Sequence, residues 1–294
     1  MAKAPLFEVL FYFKKYLCFM SRRKQKNQIF ENIEVIDAGA KGKTVAKAPD
    51  GRVIFLSNAV PGDIVDVETT RKRKAYFEGK AIKFHKKSDK RTEPVCEHFE
   101  HCGGCKWQHM HYDAQLFYKE KEVTQNLLRI GHLELPKVTP ILGCDKQYFY
   151  RNKMEFSFSS NRWLTVEEIK SNKEIDNKNA LGFHIAGMWD KILDINKCHL
   201  QEDPSNDIRN TIKQFAIDNG ITFFNPREQN GILRIMMLRI ASTGEIMLVI
   251  QFYKDDVKKR ELLLNFLKEK FPQITSLQYV INGKANDTIY DQEV

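Results

Sequence analysis

The sequence predicts an α+β protein of two domains: a small N-terminal OB-like β-barrel, then a larger domain of paired strands with helices alongside. Three observations carry that reading. Residues 28–87 hold five short apolar runs separated by tight-turn residues. Beyond residue 150, strand-like runs joined mostly by hairpin turns alternate with amphipathic helical stretches. Between the two regions stands Cys96-Glu97-His98-Phe99-Glu100-His101-Cys102-Gly103-Gly104-Cys105, with three thiols in ten residues.

A length of 294 residues suits roughly two domains. Apolar residues make up 42% of the chain, which is enough for packed cores and excludes a disordered tail. The balance of 47 Lys and Arg against 38 Asp and Glu leaves a net charge of +9, and a polyanion such as nucleic acid suits it. An ordinary basic soluble protein would show the same balance. Six cysteines are too few for a disulfide scaffold. Three are clustered and three (Cys18, Cys144, Cys198) are scattered, as expected for metal binding in a reducing, cytoplasmic compartment.

Residues 1–27 read as a leader and basic arm, expected to be disordered. Leu6 to Met20 is apolar but too short to span a bilayer, and Ser21-Arg22-Arg23-Lys24 follows it in place of a cleavage site. No membrane association is expected, and Met20 is a candidate natural start. In the barrel, residues 28–90, Ile29, Ile33 and Val35 open the first strand and Gly39 and Gly42 turn the chain. Val45 to Ala48 runs into the turn Pro49-Asp50-Gly51-Arg52, and Val53 to Leu56 forms a short buried strand. Pro61-Gly62-Asp63 turns again before Ile64, Val65 and Val67. The most basic stretch follows. Arg71, Lys72, Arg73 and Lys74 lead it, with Tyr76, Phe77 and Phe84 interspersed. Cations pair with phosphates and aromatic faces stack on unpaired bases, so this stretch is the expected RNA-binding edge. Inward-pointing aromatics with solubilising lysines are the plainer reading.

In residues 91–294, Tyr112 to Ile130 reads as a helix, with Leu116, Val123, Leu127 and Leu128 near helical spacing. Tyr150 to Ser159 alternates like a strand. Leu181 to His184 and Ile192 to Ile195 read as paired strands. Pro204 opens a helix that Gly220 ends. Leu233 to Ile240 and Ile246 to Phe252 make a hairpin; a helix around Val257 to Phe271 and a strand at Ser276 to Ile281 follow.

The clustered thiols bind a soft metal or an iron–sulfur cluster far better than they pack a core. Gly103 and Gly104 let the backbone fold tightly, with N–H groups turned toward sulfur. A fourth ligand is needed. Cys198 is the best candidate and Cys144 the competitor, while nearby histidines would serve zinc. Spacing alone does not separate zinc from iron–sulfur.

Cys96-x5-Cys102-Gly103-Gly104-Cys105-x2-Gln108-His109-Met110, with Tyr112, Gln115 and Lys119 after it, resembles the cluster region of the TRAM-domain RNA (uracil-C5)-methyltransferases. Tyr150-Arg151-Asn152-Lys153, Asp194-Ile195 with Cys198, and the barrel segment Gly42 to Ser88 resemble further parts of that family, its 23S ribosomal RNA enzymes above all. The resemblance implies a TRAM barrel and a [4Fe–4S] cluster on Cys96, Cys102, Cys105 and Cys198. It implies S-adenosylmethionine as methyl donor and a uridine of 23S rRNA as substrate, with transfer RNA as the alternative. Arg151 and Lys153 join Arg71, Lys72, Arg73 and Lys74 as expected RNA contacts. The family's Rossmann-like methyltransferase domain, with its nucleophilic cysteine, has no counterpart motif in these 294 residues. The expectation is therefore a front portion without that domain, monomeric and inactive alone, with no catalytic residue assigned and the helix at 112–130 facing the absent part. The rival readings are a non-catalytic RNA-binding module with a structural metal, and a redox-sensing regulator.

Overall fold

A computed structural model describes residues 27–171, 175, 177–286 and 288. The leader through residue 26, Cys18 included, lies outside the described residues. The chain forms two compact units. One takes the residues up to Ile36 and Thr44–Lys87; the other takes Asp37–Lys43 and the residues from Ser88 onward.

The first unit is built on five strands: β1 (Ile29–Ala38), β2 (Thr44–Lys47), β3 (Val53–Ser57), β4 (Ile64–Lys72) and β5 (Tyr76–Lys86). They close into a barrel in the order β1-β2-β3-β5-β4. β3 and β5 run parallel, while β4 pairs with both β1 and β5 antiparallel. Alternate residues turn inward, so Ile54, Leu56, Val65, Val67 and Phe77 are fully buried. The tight turn before β4 needs a left-handed residue, supplied by Gly62 at φ +99°. Asp63 fastens that turn by accepting the Val60 N–H at 2.6 Å.

The aromatics of the basic stretch divide. Phe77 lies in the barrel core, edge-on to Phe30 at 5.1 Å and beneath the Arg52 guanidinium at 4.0 Å. Tyr76 packs edge-on against Phe55 at 5.4 Å. Phe84 is the exposed one. Period-two alternation explains this, since a residue on the inner face of β5 cannot also offer its ring to a base.

The second unit centres on a six-stranded sheet of β6 (Lys153–Ser159), β7 (Ala180–His184), β8 (Ile192–Asp194), β9 (Leu233–Ile240), β10 (Ile246–Phe252) and β11 (Ile274–Ile281). Its order is β11-β10-β9-β6-β7-β8. Its helices are α1 (Tyr112–Arg129), α2 (Val166–Lys170), α3 (Ser205–Asp218) and α4 (Val257–Lys270). Ile208, Ile212 and Ala216 recur every fourth residue along α3 and bury one stripe in the sheet core, and Leu263 and Leu267 do the same on α4. Phe215 and Phe266 stack at 3.9 Å where these helices meet. Asp256 caps α4 by accepting the Lys259 N–H. Two pairings depart from the hairpin pattern: β11 joins β10 in parallel after α4, and β6 pairs with the distant β9. α1 buries only Tyr118 and leaves Phe117, Val123, Leu127 and Leu128 exposed.

β7 and β8 approach so closely that a Cβ on Gly182 would lie 2.1 Å from the Leu193 carbonyl oxygen. Backbone cannot give way cheaply there. Gly182→Ala is expected to lower unfolding free energy by about 3 kcal/mol, measured by urea denaturation. An unchanged midpoint would refute the β7–β8 packing.

Candidate functional site

The thiol-bearing loop is folded by its own backbone. The Phe99 N–H donates to the Cys96 carbonyl at 3.1 Å, and the Cys102 N–H to the His98 carbonyl at 2.8 Å. The Gln108 side chain accepts the Cys96 N–H at 3.2 Å. The Gly104 N–H points at the Cys102 sulfur at 3.4 Å, the contact that a glycine pair makes easy. Gly103 passes so near β7 that a Cβ would meet the His184 carbonyl at 3.0 Å. Cys102 also forms a β-bridge with Ile185, which ties the loop to the β7–β8 connection.

Cys198 arrives from the other side, in the segment between β8 and α3, and is buried. Asn206 on the first turn of α3 grips it. The Asn206 oxygen accepts the Cys198 N–H at 2.7 Å, and its amide donates to the Cys198 carbonyl at 3.2 Å. Arg209, fully buried, donates to the same Asn206 oxygen at 3.0 Å and to the Asn196 carbonyl at 2.6 Å. Its guanidinium lies 5.1 Å from the centre of the Phe156 ring. His98 completes the link, because its Nε2 accepts the Asn196 N–H at 3.1 Å. Burial lowers the His98 pKa, which favours the neutral ring that this contact requires.

Cys96, Cys102, Cys105 and Cys198 all line one cavity of about 140 Å³ with an apolar wall that includes Phe99, Met154 and Ile195. Burial pushes the Cys102 thiol up to about 11 and raises those of Cys96 and Cys198. Charge on the neighbouring thiols pushes in the same direction. These thiols are therefore protonated at neutral pH unless a cation stabilises the thiolate form. Among the described residues, no three His, Cys, Asp or Glu side chains meet closely enough to ligate one metal ion. Zinc–thiolate bonds of about 2.3 Å would draw tetrahedral sulfurs to about 4 Å from one another. A set of four cysteines is one that a cubane cluster takes and that structural zinc takes as well.

Cys144 is exposed; its thiol donates to the Lys146 carbonyl at 3.1 Å, outside that cavity. Arg151 lines the thiol cavity, whereas Lys153 pairs with Glu155 at 2.7 Å. Arg71, Lys72, Arg73 and Lys74 are exposed around the tip of the β4–β5 hairpin, with Arg71 3.6 Å from Glu78. Nothing in the sequence marks Asn206 or Arg209, and Gln108 stands in the cysteine motif without its backbone contact being evident. Their polar side chains act on backbone groups distant in the chain, and no local spacing reports that.

The chain is similar to RNA methyltransferases. It is 48% identical over 258 residues to an uncharacterized RNA methyltransferase of Bacteroides thetaiotaomicron, covering 87% of this chain and 57% of that protein. It is 44% identical over 270 residues to one of Porphyromonas gingivalis, covering 89% and 57%. The chain thus spans just over half the length of the curated relatives it matches. The fold resembles that of the Pyrococcus abyssi tRNA (uracil-54, C5)-methyltransferase solved in complex with S-adenosyl-L-homocysteine, with a TM-score of 0.58 at 23% identity over 89% of this chain and 54% of that one. No family model matches the chain.

These matches correct one sequence expectation. The pattern of motifs placed the Rossmann-like methyltransferase domain outside the chain and made the chain inactive alone. The similarity to RNA methyltransferases instead runs through 87% and 89% of the chain. Neither the absence nor the inactivity is carried forward.

Asn206→Ala removes both hydrogen bonds that hold the Cys198 backbone and one acceptor of Arg209. Urea unfolding is expected to show a loss of about 1–3 kcal/mol, the usual cost of stranding buried polar groups. An unaltered unfolding curve would mean that Asn206 does not position Cys198.

Proposed function

We propose that the chain serves an S-adenosylmethionine-dependent methylation of carbon 5 of a uridine in 23S rRNA. The observation that carries this reading is the 48% identity to an RNA methyltransferase across 87% of the chain. The net charge of +9 and the exposed Arg71–Lys74 hairpin tip support an RNA partner. S-adenosylmethionine supplies the methyl group, which replaces the proton on carbon 5 of the uracil.

Within this reading Cys96, Cys102, Cys105 and Cys198 hold a [4Fe–4S] cluster. Their shared cavity and a donor set made wholly of soft sulfur support this. The cluster's contribution is to fasten the 96–105 loop to the segment before α3. Arg71, Lys72, Arg73, Lys74 and Arg151 are the proposed phosphate contacts. Lys153, already bound to Glu155, is a weaker partner for RNA.

Mapping of 5-methyluridine in ribosomal and transfer RNA by mass spectrometry, after deletion of the gene in its host, tests the proposal. Loss of one 5-methyluridine from 23S rRNA is expected. Loss from transfer RNA alone would move the substrate, and an unchanged profile in both RNAs would overturn the proposal.

A further inference from the structure

A second cavity, of about 350 Å³, adjoins the thiol cavity. It lies beneath a strap formed by residues 141–151. One end of the strap is tied to α1: the Ile141 N–H donates to the Glu120 carboxylate at 2.6 Å, and the Cys144 N–H to the Tyr112 hydroxyl at 2.8 Å. The other end is tied to the segment before α3. There the Phe149 N–H donates to the His199 carbonyl and the Arg151 N–H to the Leu200 carbonyl, both at 2.8 Å. Lys146 bridges to Glu202 at 2.9 Å between the two ends. The cavity is therefore a built space between two anchored walls.

Its lining is one-sided in chemistry. Tyr112, Tyr148 and Tyr150 contribute aromatic rings, Lys106, Lys119 and Lys146 contribute cations, and no carboxylate lines it. Tyr150 is 55% exposed, so its ring is open to a ligand. Flat π-faces next to lysines, of which Lys146 is shared with Glu202 outside the lining, match one kind of ligand well: a nucleobase that stacks while its phosphate rests on ammonium groups. A purely apolar ligand would leave the lysines unused, and a small anion would leave the rings unused.

We propose that this cavity holds a single unstacked base of the RNA strand, with the adjoining phosphate on Lys106, Lys119 and Lys146, as a docking point separate from the base that receives the methyl group. The inference rests on the reading of RNA as substrate. A free mononucleotide offers the same chemistry, so the test separates strand from monomer.

Cys144 lies on the strap and lines the cavity, which makes its alkylation a local reporter. Protein prepared without oxygen is treated with N-ethylmaleimide, and modification of Cys144 is followed by peptide mass spectrometry. A saturating eight-nucleotide single-stranded RNA is expected to slow modification at least fivefold, and uridine or adenosine monophosphate at the same concentration is not. Tyr150→Ala and Lys119→Glu are each expected to weaken RNA binding about tenfold, since one stacked base is worth roughly one decade or more. Arg71→Ala should weaken binding while leaving protection of Cys144 at saturation intact. RNA binding with Cys144 unprotected, and with Tyr150→Ala equal to the unaltered protein, would overturn this inference alone. Equal protection by a mononucleotide would overturn the strand-docking form of it. No RNA binding by the unaltered protein would overturn the reading on which it rests.

Discussion

The convergence of four sulfurs on one cavity is the constraint that the rest of the second unit serves. Between Cys105 and Cys198 lie 92 residues, and bringing such distant segments together costs chain entropy that a flexible loop cannot recover. The sheet meets that cost. β6, β7 and β8 form one half of it, and the apolar residues of β6 bury against α3, whose first turn carries the Asn206 that holds Cys198. The 96–105 loop is pinned to the same sheet by the Cys102–Ile185 bridge and to the opposite segment by His98. The backbones of Cys96, Cys102 and Cys198 are thus held by the protein's own hydrogen bonds.

Electrostatics pulls the other way. Burial favours neutral thiols, and Cys102 illustrates this most strongly. Arg209 and Arg151 favour the Cys198 thiolate, but they do not offset burial. Deprotonated sulfurs around one cavity would repel one another without a cation among them, which is the electrostatic reason for proposing a positively charged inorganic core there. The fully buried guanidinium of Arg209 acts on both counts: it donates to Asn206 and Asn196, and it sits beside the Phe156 ring.

Much of the element order was legible in the sequence. Turn residues and period-two alternation placed the strands around Val53, Ile64, Lys153 and Leu233, and helical spacing placed α1, α3 and α4. Pairing was less legible. The parallel β10–β11 contact and the β6–β9 contact depend on which buried faces fit across long separations, and short-range pattern does not encode that. Phe77 shows the same limit, because a run of basic residues disguised an inward-facing position. The cysteine spacing marked three thiols, and the fold brings Cys198 rather than Cys144 to their cavity. The backbone grips of Asn206, Arg209 and Gln108 needed coordinates.

Iron and acid-labile sulfide per chain, measured together with the visible absorption spectrum on protein prepared without oxygen, decide whether the four cysteines hold a cluster. About four of each per chain and absorption at roughly 400 nm are expected, both lost on Cys198→Ala with the fold retained. Colourless, iron-free protein, or full iron content after that substitution, would contradict the cluster.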